Sequence, residues 1–320
     1  MALRAGVSVL VPLLVLWALG RPEWTIYASF GAFTSLYGRN HAGLSRTRMQ
    51  LTLAVLLTLA VAGGVAVGLS EHRAWLAVPV TALVAAAGSL VSDAQDWHPP
   101  GPLFLVFAFA ACAALPSQPG DVVVALDVAG ASALLSVVIG NAGSWWRGHA
   151  GAQARWPRPS YAEVARRHVL RNGVAVAASG AIATAAGIGH PYWAMVSAVV
   201  PLAARDLSSQ VVRGTHRLVG TALGLVVAGV LLALDPPTLV VIAVVVLLQV
   251  AAELLVGRNY AVALVAVTPL ALLMVHLAAP IPSRVLVADR GVETLIGVAV
   301  GLAVGYLTRP RVRPAVDMSA

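Results

Sequence analysis

Charged residues are scarce in this sequence, and lysine is missing altogether. Of the 320 residues only 11% are charged, whereas 59% are hydrophobic and the mean hydropathy is +0.85. A soluble globular domain carries roughly 25% charged residues, so this chain lacks the polar surface that a water-soluble protein of its length needs. Apolar runs long enough to cross a bilayer recur along the chain. The composition therefore predicts an all-α polytopic membrane protein.

Cysteine is nearly absent as well. Cys112 is the only one, which excludes an internal disulfide and a cysteine-based metal site. The sequence also contains no phosphate-binding glycine loop, no cluster with metal-ligand spacing and no Ser-His-Asp arrangement that points to a site. We therefore predict neither an enzyme nor a bound cofactor or metal.

Hydrophobic segments separated by charge, proline or glycine predict about twelve transmembrane helices. The predicted spans are 4–20, 24–38, 47–69, 74–92, 102–117, 121–144, 169–188, 191–204, 214–234, 237–256, 260–279 and 286–307. The segments 24–38, 102–117 and 191–204 are short, so ten spans with re-entrant pieces is the alternative.

The arginines predict how the chain lies in the membrane. All 21 basic residues are arginine, and the net charge is +8. If the N-terminus is cytoplasmic and twelve spans alternate, all but Arg21, Arg73, Arg284 and Arg290 fall on the cytoplasmic side. Such a bias orients membrane proteins. It predicts a multi-pass protein of the bacterial cytoplasmic membrane with both termini cytoplasmic, and it accounts for the basic charge without a nucleic-acid partner.

The two halves of the chain resemble each other. At an offset of 169 residues, one ungapped alignment matches Pro22 with Pro191, Trp24 with Trp193, Arg48 with Arg217, and Thr52 with Thr221. Because each half holds six spans, both copies would have the same orientation, as parallel repeats do. The predicted units are a first six-helix repeat (1–144), a basic cytoplasmic connector (145–168), a second repeat (169–308) and a cytoplasmic tail (309–320).

The second predicted span of each half points to a functional centre. Segments 24–38 and 191–204 are both short, and they are interrupted at the same place by Gly31 and Pro201. Broken segments at corresponding positions of two halves mark transport sites, because their free backbone groups are tolerated only beside protein or a water-filled cavity. Duplication of a purely structural bundle is the alternative.

The second half also carries family motifs. The run P-Y-W-A-M-V-S-A-V-V-P from Pro191, followed by R-L-V-G-T-A-L-G from Arg217, resembles the fusaric acid resistance family, also called the aromatic acid exporter family. The run R-G-V-E-T-L-I-G from Arg290 is similar to that family's signature in its last helix. The resemblance covers most of residues 169–307, and it implies export of aromatic or other organic carboxylic acids across the inner membrane.

Seven residues are predicted to contact such a substrate. Arginine suits a carboxylate because its planar guanidinium can bind both oxygens at once, and aromatic rings can stack on an aromatic acid. The predicted substrate-binding residues are Arg217, Arg48, Thr221, Arg213, Trp193, Trp24 and Tyr192. The alternatives are that the arginines only set the topology and that the aromatic residues only anchor helix ends at the membrane interface.

Two carboxylates within apolar segments are candidates for proton coupling. Glu253 lies near the end of one predicted span and Glu293 lies within the last one. An ionisable group inside a bilayer is costly and is therefore a functional hypothesis by default. The alternatives are ion pairs, of Glu253 with Arg258 and of Glu293 with Arg290 three residues before it.

These observations predict a secondary transporter that exports a small organic anion, coupled to protons through Glu253 or Glu293. A gated organic-anion channel and a non-transporting membrane scaffold subunit are the alternatives. The predicted partners are the substrate and the lipid bilayer, with no nucleic acid. A duplicated chain suits a monomer, and a homo-oligomer or an accessory membrane subunit is left open.

Overall fold

The computed structural model describes residues 2–38, 43–146, 163–204, 206–279 and 281–309. Within these ranges the chain contains helices and no strand. The helices are α1 (Ala2–Ala18), α2 (Thr25–Ala32), α3 (Gly43–Gly68), α4 (Arg73–Gln95), α5 (Leu103–Ala114), α6 (Pro119–Trp146), α7 (Glu163–Ala185), α8 (Tyr192–Leu202), α9 (Leu207–Ala233), α10 (Thr238–Leu255), α11 (Tyr260–Ala278) and α12 (Ser283–Leu307). Short 3-10 turns at Pro22–Trp24 and Phe33–Leu36 flank α2.

Six of these helices, α3, α4, α6, α9, α10 and α11, are long and apolar enough to cross a membrane. Their outward faces carry large apolar side chains: Leu83, Val226 and Leu247 are 69%, 67% and 68% exposed. Such faces are unfavourable in water and suit contact with lipid. The prediction of a polytopic helical membrane protein is therefore confirmed. Most of the predicted connector 145–168 and of the predicted tail 309–320 lies outside the described residues.

Three short helices, α2, α5 and α8, fill the middle of the molecule. Every residue of α2 and α8 is buried, as are nine residues of α5. An 11-residue helix such as α8 rises only about 16 Å, which is about half the thickness of a bilayer's hydrocarbon core. Proline limits α8 at both ends, with Pro191 just before it and Pro201 in its last turn. The predicted short, interrupted segment 191–204 is thus a short, fully buried helix.

Close contacts through glycine hold α8, α9, α11 and α12 together. On α9, Gly220 faces the backbone carbonyl of Ala261 in α11. On α12, Gly297 faces the carbonyl of Ala194 in α8, and a Cβ at either glycine would collide with that oxygen. Small residues allow this approach of helix backbones inside a membrane. The contacts fix the face of α9 that points at α11 and the face of α12 that points at α8.

Within the described ranges, four helix pairs make the main contacts between the first six and the last six helices. These pairs are α1 with α10, α4 with α7, α2 with α11, and α5 with α8. The short helices of both halves therefore take part in the contact between them.

Candidate functional site

A cavity of about 460 Å³ lies where the two halves meet. Residues 98–102 before α5, the start of α5 and the turn after α2 form one wall, and helices α8 to α12 form the rest. Its lining is mainly apolar and aromatic, with a few polar side chains. The polar and charged lining residues are His98, Arg213, Arg217, Gln249, Glu253, Tyr260 and Arg290. We refer to this space as the large cavity.

Arg217 reaches the large cavity from α9. Its side chain is buried, with 3% exposure. Nη2 donates a hydrogen bond to Oγ of Ser197 on α8, at 3.3 Å. Its Nε has no hydrogen-bond partner within the described part of the chain.

Arg290 reaches the large cavity from α12, and it is 1% exposed. Its guanidinium carbon lies 3.8 Å from the ring centroid of Trp193, a cation–π contact. Among the residues that the structure describes, its Nε and Nη1 find no hydrogen-bond partner, and neither does Nε1 of Trp193. The cation is therefore supported by a ring face while several N–H groups stay unused.

The two arginines concentrate positive charge in an apolar interior. Neither Arg217 nor Arg290 forms an ion pair within 4 Å of any carboxylate in the described ranges. Burying an unpaired cation is costly, and a bound counter-charge relieves the cost. Because guanidinium groups bind carboxylates through parallel N–H donors, this arrangement can hold a small organic anion.

Two further residues of the lining lie nearer the ends of their helices. Arg213, one turn before Arg217 on α9, has its guanidinium carbon 5.3 Å from the ring centroid of Tyr260. Glu253 on α10 is half-buried and also borders a small pocket that contains Arg4 and Arg46. These groups place both signs of charge on the wall of the large cavity.

Glu293 is fully buried one turn after Arg290 on α12. Its carboxylate oxygens have no hydrogen-bond partner, and the expected ion pair with Arg290 is not formed within 4 Å, for the residues described. Arg290 packs on Trp193 instead. The neighbouring Asp289 is engaged by His190, whose Nδ1 lies 2.7 Å from its Oδ2.

The structure brings together some of the predicted site residues and separates others. Of the predicted residues, Arg213, Arg217, Trp193 and Glu253 line the large cavity. Three more, Thr221, Tyr192 and Glu293, are buried on α9, α8 and α12 but do not line the large cavity. The lining also excludes Trp24 and Arg48, and Arg48 is exposed on α3. The roles assigned to all of them stay predictions.

Arg290 and Gln249 line the large cavity although sequence reasoning did not select them. Alternation of the spans counted Arg290 with the outer-side arginines, near the start of the predicted span 286–307, and in the structure it lies two turns inside α12. The spacing of Arg290, Glu293, Thr294 and Gly297 was the available signal, because these residues share one helix face.

Residues 176–304 match the family model described as fusaric acid resistance protein-like. This part of the chain is similar to that family. The fusaric acid resistance segment covers less than half of the chain, but it contains Trp193, Arg217 and Arg290. The expected family resemblance is confirmed, and it points to a function related to membrane transport or efflux. Searches of curated proteins and of solved structures find no match to the chain.

Proposed function

We propose that the chain is a secondary transporter that exports small organic anions, aromatic carboxylic acids among them, across the cytoplasmic membrane of a bacterium. The observation that carries the proposal is the pair of buried cations, Arg217 and Arg290, which face one cavity with unused N–H groups. The substrate carboxylate would bind between their guanidinium groups. It would supply the counter-charge that the described residues do not provide within 4 Å.

The apolar lining supports an aromatic substrate. Phe104, Phe107 and Trp193 all border the large cavity, and offset or edge contacts between rings stabilise such packing. The volume of about 460 Å³ lies within the range of roughly 300–1,000 Å³ that is typical of small-molecule sites. Nε1 of Trp193 is a further donor for the carboxylate.

Efflux of labelled benzoate from proteoliposomes tests the proposed site. We expect Arg217→Gln and Arg290→Gln each to weaken benzoate transport by about 10- to 100-fold, because a charge-assisted hydrogen bond contributes about 1.5–3 kcal/mol. Both variants should remain at least as heat-stable as the wild type without substrate, since each loses an unpaired buried cation.

Arg284→Gln is the matched control for this experiment. Arg284 lies on α12, as Arg290 does, but it is exposed and is not part of the lining. Its substitution should leave benzoate efflux unchanged. Wild-type efflux by folded Arg217→Gln and Arg290→Gln proteins would rule out the large cavity as the substrate site.

We also propose that the helices form two parallel repeats, 1–144 and 169–308, which cross the membrane twelve times with both termini cytoplasmic. The pairs α1–α10 and α4–α7 support this arrangement, because exchanging the two halves converts one pair into the other. The pairs α2–α11 and α5–α8 are related in the same way. Labelling of cysteines placed at either terminus, from each side of the membrane, tests the topology.

The proposal includes the coupling of anion export to proton movement. Glu253 or Glu293 would carry a proton during the transport cycle, since both are carboxylates within or beside the buried charge cluster. The substrate and the bilayer are the proposed partners, and no nucleic acid is expected. A homo-oligomer or an accessory membrane subunit would leave the substrate site within one chain, because all of its residues come from this chain.

A further inference from the structure

A second cavity lies at the other end of α8. Its volume is about 210 Å³, and we call it the small cavity. The start of α8, at Pro191 and Tyr192, lines the small cavity, whereas Ala203, just after the end of α8, lines the large cavity. Helix α5 has the opposite order: Phe104 near its start lines the large cavity, and Ala114 at its end lines the small cavity. The two spaces are therefore placed end to end along a pair of antiparallel helices.

Three aromatic rings stand between these cavities. Phe107 and Trp193 border the large cavity, and Tyr192 borders the small one. The centroid of Phe107 lies 4.8 Å from that of Trp193 and 6.3 Å from that of Tyr192. Tyr192 and Trp193 are 4.7 Å apart, and all three side chains are buried. Rings at these separations are in direct packing contact.

We propose that Phe107, Tyr192 and Trp193 form a barrier that closes the large cavity from the small one, and that the transported anion passes this barrier between α5 and α8. We call the three residues the aromatic barrier. The route rests on the transport function proposed above, whereas the barrier itself does not depend on it.

The physical basis is the desolvation of the substrate. Packed rings exclude water from this path, and moving an anion out of water into mainly aromatic surroundings is strongly unfavourable. Arg290 packs against Trp193 on the large-cavity side, and Arg73 lines the small cavity together with Glu71. A cation on each side of the rings would stabilise the anion before and after it crosses.

The aromatic barrier is assembled from both halves of the chain. Phe107 belongs to α5 in the first half, while Tyr192 and Trp193 belong to α8 in the second half. A small displacement of α5 relative to α8 would therefore separate the rings. Phe30 of α2 packs edge-on against Phe107, with the ring centroids 4.9 Å apart, and supports the closed position from the first half.

The sidedness of thiol labelling tests the aromatic barrier, and it needs no substrate. Because Cys112 is the only cysteine, Cys112→Ala provides a background without thiols. Two reporters are then introduced singly, Ala74→Cys in the small cavity and Ala203→Cys in the large cavity. Each protein is treated with a membrane-impermeant maleimide, applied in turn to intact cells and to inverted vesicles.

With Phe107 present, we expect the two reporters to react from opposite sides of the membrane. Phe107→Ala should make the Ala203→Cys thiol react from both sides, because the loss of the ring opens the path. Phe109→Ala is the matched control: Phe109 is also a buried phenylalanine of α5, but it faces Gly63 of α3 and lines neither cavity. It should leave the one-sided reaction unchanged.

Reaction of Ala74→Cys and Ala203→Cys from the same side would overturn the proposal, even if Phe107→Ala failed to fold. So would one-sided labelling of Ala203→Cys in a folded Phe107→Ala protein, or a two-sided reaction in Phe109→Ala. A failure of Arg217→Gln and Arg290→Gln to affect benzoate efflux would reject the proposed substrate site and leave the labelling result intact. The two proposals can thus fail separately.

Discussion

Arg290 illustrates how burial changes the role of an arginine. Positive charge at a membrane boundary sets topology, and this rule assigned Arg290 to the outer side. In the structure it is 1% exposed and packs on Trp193. The same helix buries Glu293, Thr294 and Gly297 on one face. A polar face on an otherwise apolar helix is readable from the sequence, but the cavity that it borders also depends on α8 and α9, which only the folded chain brings together.

Asp206 provides a prediction about pH. It precedes α9, and its carboxylate accepts hydrogen bonds from the N–H of Ser209 and from the hydroxyls of Ser208 and Ser209, at 2.5–2.9 Å. These bonds lower the pKa of Asp206 from 3.8 to about 2. The stabilisation is therefore complete above the unfolded pKa of 3.8 and is lost as the pH falls through about 2.

We expect Asp206→Ala to lower the Tm in detergent at neutral pH, because α9 loses the acceptor at its first turn. The difference in Tm from the wild type should shrink as the pH falls from 3.8 towards 2. Asp206→Asn keeps an acceptor and is the control, with a smaller loss at neutral pH. A difference that does not change with pH would contradict this assignment of the pKa.

The positions of the helices could be predicted more fully than their contacts. Each predicted apolar segment overlaps one helix, and 24–38 overlaps α2 with its two 3-10 turns. Hydrophobic length and breaks at Pro, Gly and Arg carry that information. Whether α2, α5 and α8 cross the membrane could not be predicted in this way, because short, fully buried helices take their positions from their neighbours.

Contacts also indicate which residues of α3 and α9 correspond to each other, and they differ here from the sequence motifs. The side-chain amide of Gln50 on α3 donates to the backbone carbonyl of Tyr37 at 3.0 Å. Gln210 on α9 makes the corresponding bond to the carbonyl of Ala204, at 3.1 Å. Alignment of the two glutamines gives an offset of 160 residues between these helices, rather than the 169 of the matched sequence motifs.

Under the proposed repeat, this difference of nine residues accounts for the exposure of Arg48. Nine residues are two and a half turns of an α-helix, which rotates a side chain to the opposite face. In the alignment on the glutamines, Arg217 corresponds to Leu57, which is fully buried, and Arg48 falls near the start of α3. The second buried arginine at the large cavity, besides Arg217, is thus Arg290 of α12 and not Arg48.

Gly297 tests whether close contact between α12 and α8 positions the site. Gly297→Ala would place a Cβ against the carbonyl oxygen of Ala194, and such overpacking costs about 1–3 kcal/mol. Because α12 must move away from α8, we expect Arg290 to lose its contact with Trp193 and benzoate efflux to fall together with Tm.

The control for this change is Gly229→Ala on α9. No described atom lies within 4 Å of a Cβ at Gly229, and alanine in a helix is favoured over glycine by about 0.5–1 kcal/mol. Gly229→Ala should therefore keep or raise the Tm and leave efflux unchanged. Equal losses of Tm in both variants would mean that the α12–α8 contact has no special role.

In the whole molecule, the buried cations and the aromatic barrier draw on the two halves differently. The buried cations, Arg217 and Arg290, come from the second half, while the aromatic barrier needs α5 from the first half. One half would thus hold the anion, and motion relative to the other half would open its path. The family match covers residues 176–304, whereas α5 and the turn after α2, which also line the large cavity, lie outside it.

Proton coupling is a property of the whole molecule and is tested on the full chain. Glu293 is the stronger candidate, because it is fully buried and forms no ion pair within 4 Å among the described residues. It can therefore exchange a proton without breaking an ion pair. Its charged and titratable surroundings are Asp289 and Arg290 on α12, His190 before α8 and Tyr192 on α8. We expect an inward proton gradient to accelerate benzoate efflux from wild-type proteoliposomes, and Glu293→Gln to abolish that acceleration while efflux without a gradient continues.

Glu23→Gln is the control, since Glu23 is exposed beside Arg21 and lines neither cavity. It should respond to the gradient as the wild type does. If Glu293→Gln keeps the acceleration and Glu253→Gln loses it, proton coupling is assigned to Glu253, which lines the large cavity. Equal wild-type rates with and without the gradient would reject coupling and favour a gated channel, because a channel needs only the gradient of the anion itself.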